Sequence, residues 1–397
     1  MQRAQQQNLP VRRRASRRVA SQWACALIST LLLAATGQAQ PSAEGAVSTL
    51  DDKPKASTQD PYFTTACALT ADDLLTGHDC EGALNCQTAQ SCDVVGGLDH
   101  VAAGVGLRHR SSGTIELAGA PPGAIAAGAW LYWGLIVDDG DLGQHDPSAV
   151  VFDGETMSGE LVGTAPTPCW FGDAVGSLEF RAYRRSVLHL LVPGINGAYQ
   201  VKVPSTSVID GRDPWRGEPV PPPWVDGASL VVLYTHPHVP YGSRVYLHHG
   251  AALLVGALGL EHDLLPIEPI GHVDTVLRHT RLGGDGQRQA GYLPTYPLLT
   301  SLDWSESCLQ TRLQIRGPGS AVDPVSDWKG YDGGSITQLW DTQTNEFLLI
   351  PDGPACTSYQ VLYETLDPPP GSGTGTGATS GFLHDCIVVV AHALTLR

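Results

Sequence analysis

Glycine and proline interrupt this chain too often for it to build long helices. They number 45 and 29 among 397 residues, about a fifth of the chain where roughly 12% is usual. Inside a helix each glycine costs about 1 kcal/mol and each proline about 3 kcal/mol relative to alanine. Short strands joined by turns are what such a sequence can form. From residue 93 onward, strands are expected at 115–118, 129–137, 150–153, 187–192, 199–203, 229–235, 243–249, 275–280, 312–316, 347–350, 360–363 and 387–396. Tyr199, Val201 and Val203 alternate with Gln200 and Lys202, the period of a half-buried strand. Asn196-Gly197, two residues that tolerate positive φ, predicts a hairpin between this strand and the one at 187–192. The unbroken apolar runs Leu230-Val231-Val232-Leu233-Tyr234 and Ile387-Val388-Val389-Val390-Ala391 fit strands buried on both faces. The fold class expected is all-β: an antiparallel β-sandwich, jelly-roll or immunoglobulin-like, one large or two packed, with a small disulfide-rich N-terminal segment.

The first 39 residues have the form of a signal peptide. Arg12, Arg13, Arg14, Arg17 and Arg18 make a basic head, 23–35 is a short apolar stretch, and Gly37-Gln38-Ala39 supplies a small-residue cleavage site. A buried helix of the fold is the alternative reading. The apolar stretch is too short for a lasting anchor, so no transmembrane anchor is expected in the mature chain. Ser16-Arg17-Arg18 hints at twin-arginine export, but Ala20 and Ser21 stand where that signal prefers bulky residues, which favours the general secretory route. No Cys stands at the cut to carry a lipid. A secreted or cell-surface protein is the expectation.

Removing residues 1–40 takes away six Arg and no acid, so 24 basic side chains become 18 against 40 acidic ones, a balance of −22. That charge repels phosphate backbones, and no basic cluster offsets it, so nucleic acid is not an expected partner. Of nine Cys, Cys25 lies in the signal peptide. The eight others are Cys67, Cys80, Cys86, Cys92, Cys169, Cys308, Cys356 and Cys386. An even count in an exported chain predicts disulfides. Pairing of the first four among themselves, Cys356 with Cys386 and Cys169 with Cys308 is one of the many connectivities open. The Cys spacing does not match a zinc site. The chain therefore divides into a signal peptide (1–39), a flexible linker (40–66), a Cys-rich segment (67–92) and a β-sandwich domain (93–397).

Candidate chemistry is sparse. No G-x-S-x-G elbow is present, and Ser229 leads into an apolar strand rather than a helix. His236, His238, His248 and His249 could converge on zinc or copper across a hairpin, or could be ordinary core-edge histidines. Asp138, Asp139 and Asp141, with Asp146 nearby, bunch after a strand, and the cation such carboxylates would hold is Ca²⁺. The EF-hand pattern fails because Gly143 takes its fifth position, and a plain turn is the alternative. Carboxylate pairs for glycoside hydrolysis depend on distances that a sequence does not carry. Aromatic residues make the best binding argument. Trp215 and Trp224 flank the run Pro219-Val220-Pro221-Pro222-Pro223, a rigid loop on which exposed indoles stack on sugar faces or fill a partner's pocket. The alternative is that they clamp this loop to the sheet. Trp130 and Trp133 sit in a strand and are expected in the core.

Ala129-Trp130-Leu131-Tyr132-Trp133, the 183–203 segment, Asp226-Gly227-Ala228-Ser229-Leu230-Val231-Val232-Leu233-Tyr234 and Gly283-Gly284-Asp285-Gly286 follow one another in this order. Over about residues 98–397 this order resembles an uncharacterised family of secreted bacterial and archaeal cell-surface β-sandwich domains, often placed before immunoglobulin-like repeats. The resemblance implies a fold and a location and brings no catalytic residues with it. Together these readings predict an exported, non-enzymatic binding module recognising a glycan, matrix component or surface protein. An extracellular hydrolase and a structural subunit of an envelope or spore coat are the other two classes.

Overall fold

A computed structural model describes residues 63–76, 80, 81, 83, 94, 96–108, 110–138, 146–166, 178–191, 194–206, 221–255, 260–264, 275–284, 298–303, 312–315, 325–328, 340–350, 359–364 and 386–397, all within the unit Lys55–Arg397. In chain order these form β1 Phe63–Leu69, α1 Ala71–Thr76, β2 Gly97–Gly106, β3 Ser112–Leu117, β4 Ile125–Asp138, β5 Ala149–Phe152, β6 Glu155–Ser158, β7 Glu160–Pro166, β8 Leu178–Ser186 and β9 Gly197–Lys202. They continue as β10 Trp224–His236, β11 Arg244–Val255, β12 Leu260–Leu264, β13 Thr275–Gly284, β14 Leu298–Asp303, β15 Arg312–Ile315, β16 Val325–Trp328, β17 Trp340–Ile350, β18 Tyr359–Glu364 and β19 Cys386–Leu396. Every strand pairing described is antiparallel.

The strands make an outer sheet in the order β1-β11-β19-β13-β17-β15, a central sheet β2-β10-β4-β8-β7, a capping sheet β3-β9-β5-β6 and a fourth sheet β12-β18-β14-β16. Strands β4 and β10 of the central sheet are buried on both faces, and β4 shows how its sequence achieves this. Trp130, Tyr132 and Ile136 enter one apolar cluster with Val245, Leu247, Trp340 and Val390 of the outer sheet. Leu131, Trp133, Leu135 and Val137 enter a second cluster with Ile115, Phe152, Tyr199 and Val201 of the capping sheet. Period-two geometry sends successive side chains to opposite faces, so a strand apolar at every position must lie between two layers. Strand β10 does the same with Val231 and Leu233 on one face and Leu230 and Val232 on the other.

One aromatic side chain sets the spacing of the outer and central layers. Gly227 of β10 and Gly134 of β4 are direct register partners, and the indole of Trp340 fills the slot they leave. A Cβ on Gly227 would lie 2.3 Å from that ring, and one on Gly134 would lie 3.1 Å from it and 2.3 Å from Phe180. The indole N–H donates to the Ser229 hydroxyl at 2.7 Å, and this hydroxyl bonds that of Thr342 at 2.7 Å. Ser229 is thus a fully buried member of a central strand.

Most expected strands form, and β10 and β19 are interior strands of their sheets, as their apolar runs predict. The hairpin around Asn196-Gly197 does not form. After Ser186 the chain leaves the sheet in a 3-10 turn, Leu188–Leu190, and β9 pairs with β3 and β5. Val187 and Leu191 are buried while His189 between them is exposed, whereas a strand would set all three on one face. The Asn196 side chain accepts from the Ala120 N–H at 3.0 Å and donates to the Ala120 carbonyl at 2.7 Å. The tight positive-φ hairpin is Asp153-Gly154, with φ of 45° and 85°, between β5 and β6. Strand β1 runs across the boundary expected between linker and Cys-rich segment and pairs with β11. Leu69, Leu74 and Cys80 extend the outer–central core.

Candidate functional site

The register of the central sheet brings three long connections to one end. Asp138, the last residue of β4, pairs with Leu178, the first of β8. Pro166, the last of β7, pairs with Glu179. Trp224, the first of β10, pairs with Ile136. The segments 139–145, 167–177 and 207–220 therefore depart from adjacent strand ends. The described base of the third is pinned at both sides: the Thr206 hydroxyl donates to the Pro223 carbonyl at 3.2 Å and accepts from the Val225 N–H at 3.4 Å. The Leu107 N–H, just past β2, donates to the Asp226 carbonyl at 2.8 Å and ties the neighbouring strand to the same end.

Of the residues singled out from sequence, Asp138 and Trp224 map to this end. Asp138 is partly buried at the tip of β4, while Asp139 and Asp141 lie outside the described residues. Asp146 is engaged in a turn, its carboxylate accepting from the Ser148 N–H at 3.0 Å and hydroxyl at 2.6 Å. Trp215 lies outside the described residues. Trp224 corrects the expectation of an exposed indole. It is 5% exposed and belongs to the outer–central core, because it is the first residue of a doubly covered strand rather than the flank of a loop. Of the cysteines, Cys80 is buried and disulfide-bonded. Cys67 lies in β1 opposite Leu247, and Cys386 opens β19 opposite Val255. Cys86, Cys92, Cys169, Cys308 and Cys356 lie outside the described residues.

The four histidines do not converge. His236 and His238 meet edge to face at 4.8 Å, with the His238 N–H donating to His236 Nδ1 at 3.2 Å. His248 and His249 are successive residues of β11, so their rings leave on opposite faces of the outer sheet. His248 shares its row with His392, whose Nδ1 lies 3.0 Å from Nε2 of His279. Among the described residues no group of three or more His, Cys, Asp or Glu is arranged to hold a metal.

Sequence reading missed the main buried polar groups. Asp99 and His100 of β2 are both fully buried. Asp99 Oδ2 accepts from Arg278 at 2.9 Å, Arg397 at 3.0 Å and the Tyr234 hydroxyl at 3.2 Å, while Oδ1 accepts the His100 N–H at 2.8 Å. Both arginines also donate to Glu346 Oε1. Two guanidiniums and two carboxylates close a balanced knot where β2 meets the outer sheet. Burial first, and then Arg278 and Arg397, presses the His100 pKa down to about 3, so its ring is neutral. At the opposite edge Arg184 donates to Glu160 at 2.9 Å. Burial raises the neighbouring Tyr132 phenol to about 12. His249 is lowered to about 4 by burial and then by Arg184. The Asp99 knot fastens two layers, and the Arg184–Glu160 pair ties β8 to β7 within the central sheet. An Asp-His pair inside the otherwise apolar β2 is the signal that could have found the first of them.

Family models, curated proteins and solved structures were compared with this chain, and none matches.

Proposed function

We propose that the chain is an exported, non-enzymatic binding module that recognises a glycan, matrix component or surface protein through the connections at one end of its central sheet. The observation that carries this reading is the register itself. The ends of β4, β7, β8 and β10 lie side by side, and from them depart the Asp139 and Asp141 segment, the Cys169 segment and the Trp215 segment. A rigid layered framework that displays variable connections at one end is a common way to build a recognition surface. The framework is an elaborated β-sandwich in which the central sheet is shared by two cores. Export is supported by the signal-like N-terminus and by the disulfide at Cys80.

The test is binding of the purified, oxidised protein to a broad array of glycans and cell-envelope components, with and without Ca²⁺, beside Trp215→Ala. Retention on the array that falls at least tenfold in Trp215→Ala, with an unchanged melting temperature, is the expected result. Loss on chelation alone moves the site to the carboxylates at Asp138–Asp141. No binding to any component under either condition overturns the proposal.

A further inference from the structure

We propose that His100 is an acid-sensitive fastener, and that protonating its ring releases the outer sheet at β13 and β19 from β2 of the central sheet. The inference is independent of what the protein binds. It rests on where the ring sits and on what it holds. Strand β2 is the edge of the central sheet. The His100 ring crosses from it to the outer sheet, with Nδ1 2.6 Å from the Thr395 hydroxyl of β19 and Nε2 2.8 Å from the Thr280 hydroxyl of β13. Thr280 passes the chain on to the Thr344 hydroxyl of β17 at 2.6 Å. A single imidazole therefore joins β2 to two strands of the facing sheet directly and to a third by relay.

A neutral imidazole bridges two hydroxyls by donating from one nitrogen and accepting at the other. A protonated ring donates from both. Where Thr280 passes its hydrogen on to Thr344, the hydroxyl that donates to the ring is that of Thr395, and it must then turn its hydrogen away, inside an interface where His100, Thr280 and Thr395 are all fully buried. An unmet buried donor costs about 1–3 kcal/mol. The surroundings offer little to hold a new cation. On its own strand Asp99 Oδ1 is 4.0 Å from Nδ1, but that carboxylate is already shared by Arg278 and Arg397. From β17, Glu346 serves the same two guanidiniums. From β10 the facing titratable group is Tyr234, whose phenol burial holds in the neutral form. From β11 the same interface receives the apolar Val245 and Leu247, and His249, further along, is under the influence of Arg184 and Glu160. Two positive and two negative side chains are in balance before the imidazole gains a proton, so the proton leaves an excess positive charge.

The sign follows from linkage. In an opened chain the ring has its ordinary pKa of about 6.5, while in the closed joint it is held near 3. The opened form binds the proton that the closed form refuses. Closure is therefore fully favoured above about pH 6.5 and weakens as pH falls toward 3.

The experiment compares wild type with His100→Gln, whose amide keeps one donor and one acceptor but does not titrate. Hydrogen exchange of β2, β13 and β19, corrected for intrinsic rate, is followed from pH 7.5 to 4 on the oxidised protein. Wild type should lose protection in these strands ahead of β4 and β10, and the acid midpoint in His100→Gln should lie lower by about one pH unit or more. Equal midpoints would overturn the proposal. If the variant does not fold at pH 7.5, NMR of ¹³C-imidazole-labelled wild type decides. A His100 signal that stays constant while the joint is closed supports the proposal, and one that titrates near its ordinary value in the closed protein refutes it.

Discussion

At the scale of single residues, the joint between layers depends on what is missing as much as on what is present. Gly227 and Gly134 leave a slot that Trp340 fills, and the indole N–H then finds Ser229. A methyl group at residue 227 would have to displace a ring held on both sides. Gly227→Ala should destabilise the protein by about 2–3 kcal/mol, as overpacking of a filled core does. The urea midpoint measures it, and adding Trp340→Leu should recover part of the loss. A neutral Gly227→Ala would mean that the slot is loose. None of this was legible in the sequence, where Asp226-Gly227-Ala228-Ser229 reads as the start of an apolar strand and Trp340 lies more than a hundred residues away. Trp224 shows the same limit from the other side. A tryptophan after a proline run reads as a loop aromatic, yet its register places it opposite Ile136 in the core. A local pattern states which residues are apolar and leaves open which sheet will cover them.

At the scale of elements, the sequence was most informative where one physical signal acted alone. β10 and β19 are unbroken apolar runs, and both lie inside their sheets. β2 and β8 were missed because they mix signals. β2 is rich in Gly and Ala and carries Asp99 and His100, and β8 carries Arg181, Arg184 and Arg185. In β2 tertiary partners satisfy Asp99 and His100, and in β8 Arg184 bonds Glu160 of the next strand, Arg181 bonds Glu179 of its own strand and Arg185 is exposed. The Asn196-Gly197 expectation failed for a related reason. The Asn196 amide is used as a two-point clamp on the Ala120 backbone instead of shaping a turn. Asn196→Asp keeps the acceptor, removes the donor and sets a carboxylate against the Ala120 carbonyl. It should cost about 1–3 kcal/mol, read as a lowered thermal midpoint, with Asn196→Gln giving a smaller loss. An unchanged midpoint in Asn196→Asp would show that the clamp holds nothing.

At the scale of the whole molecule, the described framework is a stack of antiparallel sheets whose middle layer is covered on both faces along β4 and β10. Two groups of ionisable side chains brace this stack: Asp99 with Arg278 and Arg397 across the central and outer sheets at one edge, and Arg184 with Glu160 between neighbouring strands of the central sheet at the other. Of the sequence's candidates, Asp138 and Trp224 lie at one end of the central sheet by register. The all-β class could be read from the density of glycine and proline. The sharing of one sheet between two cores could not, because it depends on which strands pair across 100 residues or more. The most direct measurement is hydrogen exchange of the oxidised protein with and without a soluble glycan or envelope component retained in the array. Recognition at the proposed end predicts slowed exchange in peptides bordering 138–146, 166–178 and 206–224, with β4 and β10 unchanged along their length. Slowed exchange at the opposite end instead, in peptides covering 118–125 and 236–244, would contradict it.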